Sequence, residues 1–559
     1  MTVRTAPDLR LVPAVAAVWL VTLCCLRPGC PWQLIAAVPG LACAVLVPLA
    51  RRQTGGNVGS ALWVVVGAAA LACCAAVGTG LRVDLRDAAA IGRWDGHATV
   101  ISVHVDEWPR QLGGKPGGHL DASRMLVPAT AVAVAVEAAD HGAPAQVPTR
   151  DRVVIVGAVA HLARLVPGET VEVRARVLRS ERPGLTTAVL LATAEPRLLH
   201  PAPARYRIAA AVRRGFAVVA AASLPPLAAG LLPGLVLGDE SATAPTVRGD
   251  FVASGLTHLT AVSGANFAVV TMCVLGLCTV IGLPRAARVA VTVGAIGAFV
   301  LLVGPTGSVV RAAVMGLFGV AAVALRRTGE STAALAAAVV VLLLARPQLA
   351  GDPGFALSVA ATTGLLWWAP GVADWLMCRG LPRAVAGVLA ICLVAQLVTT
   401  PLIVALSGRL PTGAFAANVI AGPVIPLITV VGTAAAVLAV PLPAVAELLA
   451  RVTGPGVAWL LGVAHFFARW PTVTVPAGPV AGLATAAVGS AVGVVWQHVK
   501  RGRGRRYSGA RRGGDRGPPG RAGYRSDRGR GARGGGGRRG GIGPRQRGRR
   551  RAGDPAAGR

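Results

Sequence analysis

Residues 234–270 read GLVLGDESATAPTVRGDFVASGLTHLTAVSGANFAVV. The stretch sets Asp239, Glu240, Asp250, His258, Ser263 and Asn266 among glycines, inside a half of the chain that is otherwise apolar. Unsatisfied polar groups are costly in hydrocarbon, so a polar, glycine-rich break between apolar runs marks either a functional site or an interrupted helix.

Working outward, the flanks decide the class. Over half of the 559 residues are hydrophobic (54%) and few are charged (14%), and apolar runs near membrane-spanning length recur from Leu11 to Trp496. That pattern predicts a polytopic α-helical membrane protein rather than a soluble enzyme. Three spans precede the quoted stretch, at 11–26, 32–50 and 60–81. Beyond it come spans or partial spans at 267–281, 286–303, 309–325, 332–344, 356–368, 385–405, 414–440, 457–467 and 480–496. Several are short or interrupted by Pro and Gly, which predicts a pathway lined by broken helices. The segment after Tyr206, with Arg213 and Arg214, reads as an amphipathic stretch along the membrane interface.

Charge sets the orientation. Arg4 and Arg10 precede the first span and Arg51–Arg52 separate the second from the third, so the N-terminus is expected in the cytoplasm and the first span is expected to be retained. Residues 83–205 are then extracytoplasmic. Within them, segments 97–105, 125–138, 152–159, 169–178 and 186–194 alternate or run apolar at strand length between Gly/Pro turns. Five short strands fit a small OB-like β-barrel. The charge of this insert is nearly balanced, 14 basic to 13 acidic residues, and Trp94 and Trp108 are its tryptophans. A structural barrel therefore fits better than a platform for stacking bases. The insert has no cysteine, and the ten cysteines of the chain show no metal spacing. Nine lie in apolar stretches, whereas Cys30, beside Pro31 at a predicted helix end, is placed to face an oxidising side.

The net charge of +32 resides mostly in residues 500–559, which carry +18. That Arg/Gly-rich tail cannot bury a core and reads as disordered. A nucleic-acid-binding tail, an anchor for anionic lipid, or the product of a shifted reading frame would each explain it. From 206 to 499 the chain has 15 Arg against seven acids, a bias that suits a polyanion path and equally the cytoplasmic loops of any membrane protein.

Several blocks then resemble one family. GLVLGDES (234–241), SGLTHLTAVSGANFAVV (254–270), SVVRAAVMG (308–316), RPQLAGDPGFALSVAATTGLL (346–366), QLVTTPL (396–402) and AANVIAGPVIPL (416–427) resemble, in order and spacing, the ComEC family of competence DNA channels. The resemblance covers roughly 203–496, and the three spans plus barrel ahead of it also look like that family. It implies an inner-membrane channel that admits single-stranded transforming DNA to the cytoplasm, not an enzyme, with no cofactor or metal. Its implied partners are single-stranded DNA, membrane lipid, a cytoplasmic helicase or ATPase and DNA-receptor proteins; no GxxxxGK[ST] loop is present to supply force within the chain. The family pattern falls on Gly238, Asp239, His258, Ser263, Gly264 and Asn266, on Arg311, on Asp352, Gly354, Phe355 and Ser358, and on Gln396, Pro401 and Asn418. Many relatives continue into a metallo-β-lactamase-like domain, but the nine histidines here form no HxHxDH cluster, so that domain is expected to be missing.

The chemistry of these residues leaves alternatives open. Arg311, inside a span, must meet water, a carboxylate or a phosphate: either an ion pair with Asp239, Asp250 or Asp352, or a DNA contact. Asp239 reads as an N-cap for the segment after it. Ser263, Gly264 and Asn266 would expose backbone donors at a helix break, and Ser358 would bond back to its own helix. His258 and Ser263 lack an acid at triad spacing. The competing functions are a small-molecule or lipid-precursor transporter on the same scaffold, and an intramembrane hydrolase using His258 and Asp239. Oligomeric state is left open.

Overall fold

The computed structural model describes residues 10–52, 57–112, 124–136, 145–180, 183–260, 264–324, 331–478, 480 and 482, with the backbone alone at 51, 52, 57–60, 136, 145, 146, 265, 323 and 324. Ser263, almost all of the expected span 480–496 and the tail 500–559 lie outside the described residues.

Apolar sequence with few breakers gives three helices first: α1 (Val12–Cys25), α2 (Trp32–Arg52) and α3 (Asn57–Asp87). Strands follow, β1 (Ala98–Val105), β2 (Arg110–Gln111), β3 (Arg124–Val136), β4 (Ala145–Pro148) and β5 (Arg152–Ala158), then the short helix α4 (Val159–Leu162), then β6 (Thr170–Arg179), β7 (Ala188–Ala192) and β8 (Arg197–His200). Side chains alternate faces along a strand, so Ile101, Val103 and Val105 point inward from β1 while Val171, Val173, Ala175 and Val177 do so from β6. The pairing closes on itself. β1 pairs with β3, β3 with β5, β5 in parallel with β7, β7 with β6, and β6 returns to β1. Closure removes the exposed edges of a five-strand sheet and gives the small OB-like barrel. Trp94 packs against the barrel core, but Trp108 leaves it for the helices that follow.

Those helices are α5 (Ala204–Ser223), α6 (Pro226–Leu237), α7 (Pro245–Ala253), α8 (Thr257–Thr260), α9 (Gly264–Val280), α10 (Arg285–Val303), α11 (Gly307–Ala324), α12 (Ser331–Ala345), α13 (Pro353–Trp367), α14 (Ala369–Met377) and α15 (Arg383–Ser407). The strand β9 (Arg409–Pro411), helices α16 (Ala414–Ala421), α17 (Ile425–Leu438) and α18 (Pro443–Ala468), and the strand β10 (Thr472–Thr474), which pairs with β9, complete the described chain. Among the described residues five helices are long and apolar enough to cross a membrane, or seven if each bent pair counts as one span. The pairs are α13 with α14, bent by 44°, and α16 with α17, bent by 54°. Pro370 and Pro426 open the second member of each pair, where a missing N–H costs least.

Three expectations for this half change. α6, absent from the expected spans, is buried from Gly230 to Leu237 and forms the core with α5, α7, α17 and α18. α5 buries Ala209, Ala210, Arg213, Phe216 and Ala220 along one face, so Arg213 sits inside the packing rather than at an interface with lipid. α18 starts well before 457, because Ala446, Ala450, Val457, Leu460 and Ala464 hold both sides of Pro455 in one continuous packed face.

The barrel's own closed core predicts independent folding. Residues 83–205 expressed alone are expected to give a β-type circular dichroism spectrum and a cooperative melt. Truncating the fully buried Ile155 to Ala should cost this unit about 2–5 kcal/mol; a disordered spectrum for the parent fragment would contradict the closure.

Candidate functional site

The residues singled out above fall into two clusters. In the first, α6 ends at Gly238, which adopts φ 69°, and the N–H groups of Gly238 and Asp239 donate to Gly234 and Pro233 oxygens. This left-handed turn, which glycine enters without strain, throws Asp239 back toward α5. There Arg213 is only 7% exposed, a costly position for a guanidinium unless its donors are met. They are met. Nη1 donates to the Leu237 oxygen at 3.0 Å and to the Leu302 oxygen at 2.8 Å, and Nη2 lies 3.2 Å from Asp239 Oδ2. The flat guanidinium covers the Trp108 ring at 4.6 Å, while Trp108 Nε1 donates to the Leu301 oxygen at 3.1 Å.

Asp239 Oδ1 accepts from the Ser241 hydroxyl at 2.6 Å, and Gln111 Nε2 of the barrel donates to the Ser241 oxygen at 3.2 Å. Asp239 therefore does not cap a following helix; α7 begins at Pro245 behind Ala244, with no side-chain cap. Its carboxylate instead ties the turn after α6 to a buried arginine and, through Ser241, to the barrel.

The second cluster gathers residues at the starts of α9, α11 and α13. Asp352 Oδ1 accepts the Phe355 N–H at 2.6 Å and caps α13, an interaction worth about 1 kcal/mol. Gly307 opens α11 against it, since a Cβ there would meet Asp352 Oδ1 at 2.8 Å and Phe355 Cβ at 3.0 Å. The Ser308 hydroxyl donates to the Gly354 oxygen. One turn into α11, Arg311 is 5% exposed. Its Nε donates to Ser358 Oγ at 2.9 Å and Nη1 reaches Met315 Sδ at 3.1 Å. Gly264, at the start of α9, leaves room for the guanidinium that any Cβ would overlap.

Among the described residues no carboxylate pairs with Arg311, contrary to the ion-pair reading. The three expected partners are engaged elsewhere: Asp239 by Arg213, Asp250 by His465 Nδ1 at 3.0 Å, and Asp352 by the start of α13. The Ser358 hydroxyl faces Arg311 and is not bonded back to its own helix. Helix N-termini carry partial positive charge, so the starts of α9 and α11 add to the field of a guanidinium that has no carboxylate partner among the described residues.

The remaining residues do other work. Asn266 is buried, and its Nδ2 donates to the Leu235 oxygen at 3.4 Å, linking α9 to α6. Phe355 is fully buried and stacks on Trp19 at 5.3 Å, while Trp19 Nε1 bonds the Ala350 oxygen; it is a core residue that anchors α1. Gln396 bonds Thr400, and Asn418 bonds the Ala414 oxygen, each on its own helix. His258 is exposed on α8. Among the described residues no group of His, Cys, Asp and Glu is arranged to hold a metal. Trp108, Gln111, Arg213 and Met315 are contributors that sequence reasoning missed. For Arg213 a signal existed: it shares helical spacing with Ala209, Phe216 and Ala220 on the apolar face of α5.

Both clusters draw on a segment with known relatives, for residues 235–500 match the family model described as competence protein. From residue 235 onward the helical part is similar to the competence proteins of the ComEC family. The chain is 28% identical over 143 residues to ComE operon protein 3 of Bacillus subtilis (strain 168), an alignment that covers 26% of this chain and 18% of that relative. No solved structure matches the chain. The competence domain contains the whole Arg311 cluster, whereas Trp108, Gln111 and Arg213 lie ahead of it and grip its first turn.

Two outcomes follow from this geometry. Arg213→Ala leaves Asp239 and two helix-end carbonyls without their buried donor, and should destabilise the folded protein by on the order of 3 kcal/mol. A thermal melt in detergent unchanged from the parent would contradict that. Gly264→Val should displace the Arg311 side chain and lower activity far more than abundance, whereas Gly319→Val on the open face of α11, where a Cβ meets nothing, should leave both unchanged.

Proposed function

We propose that this protein is a multi-pass protein of the cytoplasmic membrane that passes single-stranded DNA inward during natural competence, with Arg311 contacting the phosphate backbone. The observation that carries the reading is a buried guanidinium with no carboxylate partner among the described residues, set beside helix starts inside a competence domain. A cation so placed is stable only if a mobile anion or water completes it. A polyphosphate chain is such an anion, and a single unpaired charge holds each phosphate without trapping it.

In this reading the N-terminus is cytoplasmic and residues 83–205 are extracytoplasmic, so the barrel receives DNA from receptor proteins outside. A helicase or ATPase on the inner side pulls the strand. The chain performs no bond-breaking step, and the engagement of Asp239 by Arg213 argues against its serving His258 in a hydrolase.

The test is DNA entry in cells that carry Arg311→Ala or Arg311→Lys, with membrane abundance measured alongside. Loss of one charge-assisted contact, about 1.5–3 kcal/mol, corresponds to roughly a 10- to 100-fold fall in uptake for Ala. Abundance should hold, and Lys should keep much of the function as a point charge. Uptake that stays normal in Arg311→Ala would refute the assignment. A matching fall in folded protein would assign Arg311 a structural role instead.

A further inference from the structure

We propose that the outer face of α18 carries a binding site for one membrane phospholipid, with an acyl chain in a groove against α16 and the phosphate at Arg469. α18 is among the helices long and apolar enough to cross a membrane. Along it Pro455, Trp459, Gly462 and Phe466 recur at helical spacing and so share one face. Trp459 (52% exposed) and Phe466 (58%) stand out as ridges, and Gly462 between them has no side chain. The result is a groove of about 470 Å³ that is bounded across from these residues by Ile420 of α16. Trp459 Nε1 donates to the Ile420 oxygen at 3.2 Å, which fixes the indole as a wall, and Phe466 packs edge-on against the buried Phe467 at 5.0 Å. With a methylene taken as about the size of a water, roughly 30 Å³, the groove holds on the order of 16 carbons, the length of one acyl chain. The following chain does not fill it as far as it is described, since Gly482 lies against Pro401 and Ala405 of α15.

One end of the groove is cationic. α18 ends at Ala468, and Arg469 and Trp470 follow, the residue types that gather where hydrocarbon meets lipid headgroups. Arg469 lies three residues beyond Phe466, on the same face. A relay holds it there: His465 Nδ1 is 3.0 Å from Asp250 Oδ2 of α7, and Arg469 Nη2 is 2.8 Å from His465 Nε2. With Nδ1–H donating to the carboxylate, Nε2 is left to accept from the guanidinium. The imidazole thus stands between Asp250 and Arg469, and among the described residues no carboxylate pairs with Arg469. Its remaining donors are open on an exposed side chain. A protein helix laid in the groove would set its apolar face beside that cation, whereas a phospholipid satisfies both ends at once. The site requires the membrane reading of the chain but not the passage of DNA.

The test uses the full chain purified in detergent, stripped of lipid and titrated with dioleoylphosphatidylglycerol under native mass spectrometry. One lipid adduct should saturate before any other. A Cβ at Gly462 meets nothing within 4 Å, so Gly462→Phe should fill the groove, keep the thermal melt of the parent and lose that adduct. Gly276→Phe on α9, also in open space, should keep it. Phe466→Ala, which removes a wall, should weaken the adduct, and Arg469→Ala should weaken it roughly tenfold through loss of the charged contact. Binding as tight in Gly462→Phe and Phe466→Ala as in the parent would overturn the site, and binding unchanged in Arg469→Ala would overturn the phosphate seat. Dimer masses that vanish in Gly462→Phe, with no lipid adduct on the parent, would assign the groove to a second copy and overturn the lipid. A chain that alkaline carbonate washes from cell membranes would overturn the membrane reading as well; one that resists the wash yet takes no preferred lipid would overturn this site alone.

Discussion

The described structure turns on burying Arg213. Moving a guanidinium out of water costs several kcal/mol unless every donor direction finds an acceptor, and four separate parts of the chain supply what it needs. Leu237 comes from the end of α6, Leu302 from the end of α10, Asp239 from the turn at Gly238, and the Trp108 ring from the barrel. None of these can shift without stranding a buried charge, so the barrel, the core helix α6 and the first competence block are held in one register. Trp108 secures the register from its other side, with its indole on the Leu301 oxygen and its ring against Gly304, where φ is 97° and a Cβ would approach to 3.0 Å. From Gly304 the chain needs only three residues to reach the start of α11.

Arg311 is as well buried as Arg213 and differently partnered. Among the described residues its donors meet a serine hydroxyl and a thioether, neither of which carries charge, so no described carboxylate cancels its field. One buried arginine thus pairs with a carboxylate, and the other meets only neutral partners among the described residues. The difference follows from where the acids went: each carboxylate that Arg311 was expected to pair with is committed to another cation or to a helix start. Under the proposed function that allocation matters, because a carboxylate beside Arg311 would repel a DNA phosphate.

Strand periodicity made the barrel legible. Ile101, Val103 and Val105 alternate with polar neighbours, and a closed barrel leaves few alternative pairings for five such strands. Most helices were equally plain from their apolar length. α6 was not, because twelve residues are short for a span and its end runs into the polar turn at Asp239; only burial against α5, α7, α17 and α18 gives it a place. Arg213 reads from sequence as an interface residue because a charge on an amphipathic helix ordinarily faces water, and its partners Leu302 and Trp108 lie far off in the chain. Sequence also located Phe355 without its role, since an apolar residue in a conspicuous block looks the same whether it lines a path or fills a core. The site residues near Arg311 were visible one by one; their convergence depended on three helix starts that no local pattern announces.

In the proposed function, incoming DNA passes Arg311. A photoreactive amino acid placed at Ser358, whose hydroxyl is 2.9 Å from Arg311 Nε, tests it in competent cells fed radiolabelled DNA, with the same residue at Trp459 on the exposed face of α18 as control. A DNA-linked band is expected from position 358 on illumination during uptake, and none from 459. Crosslinking from 459 with none from 358, at equal protein levels, would place the strand elsewhere and contradict it.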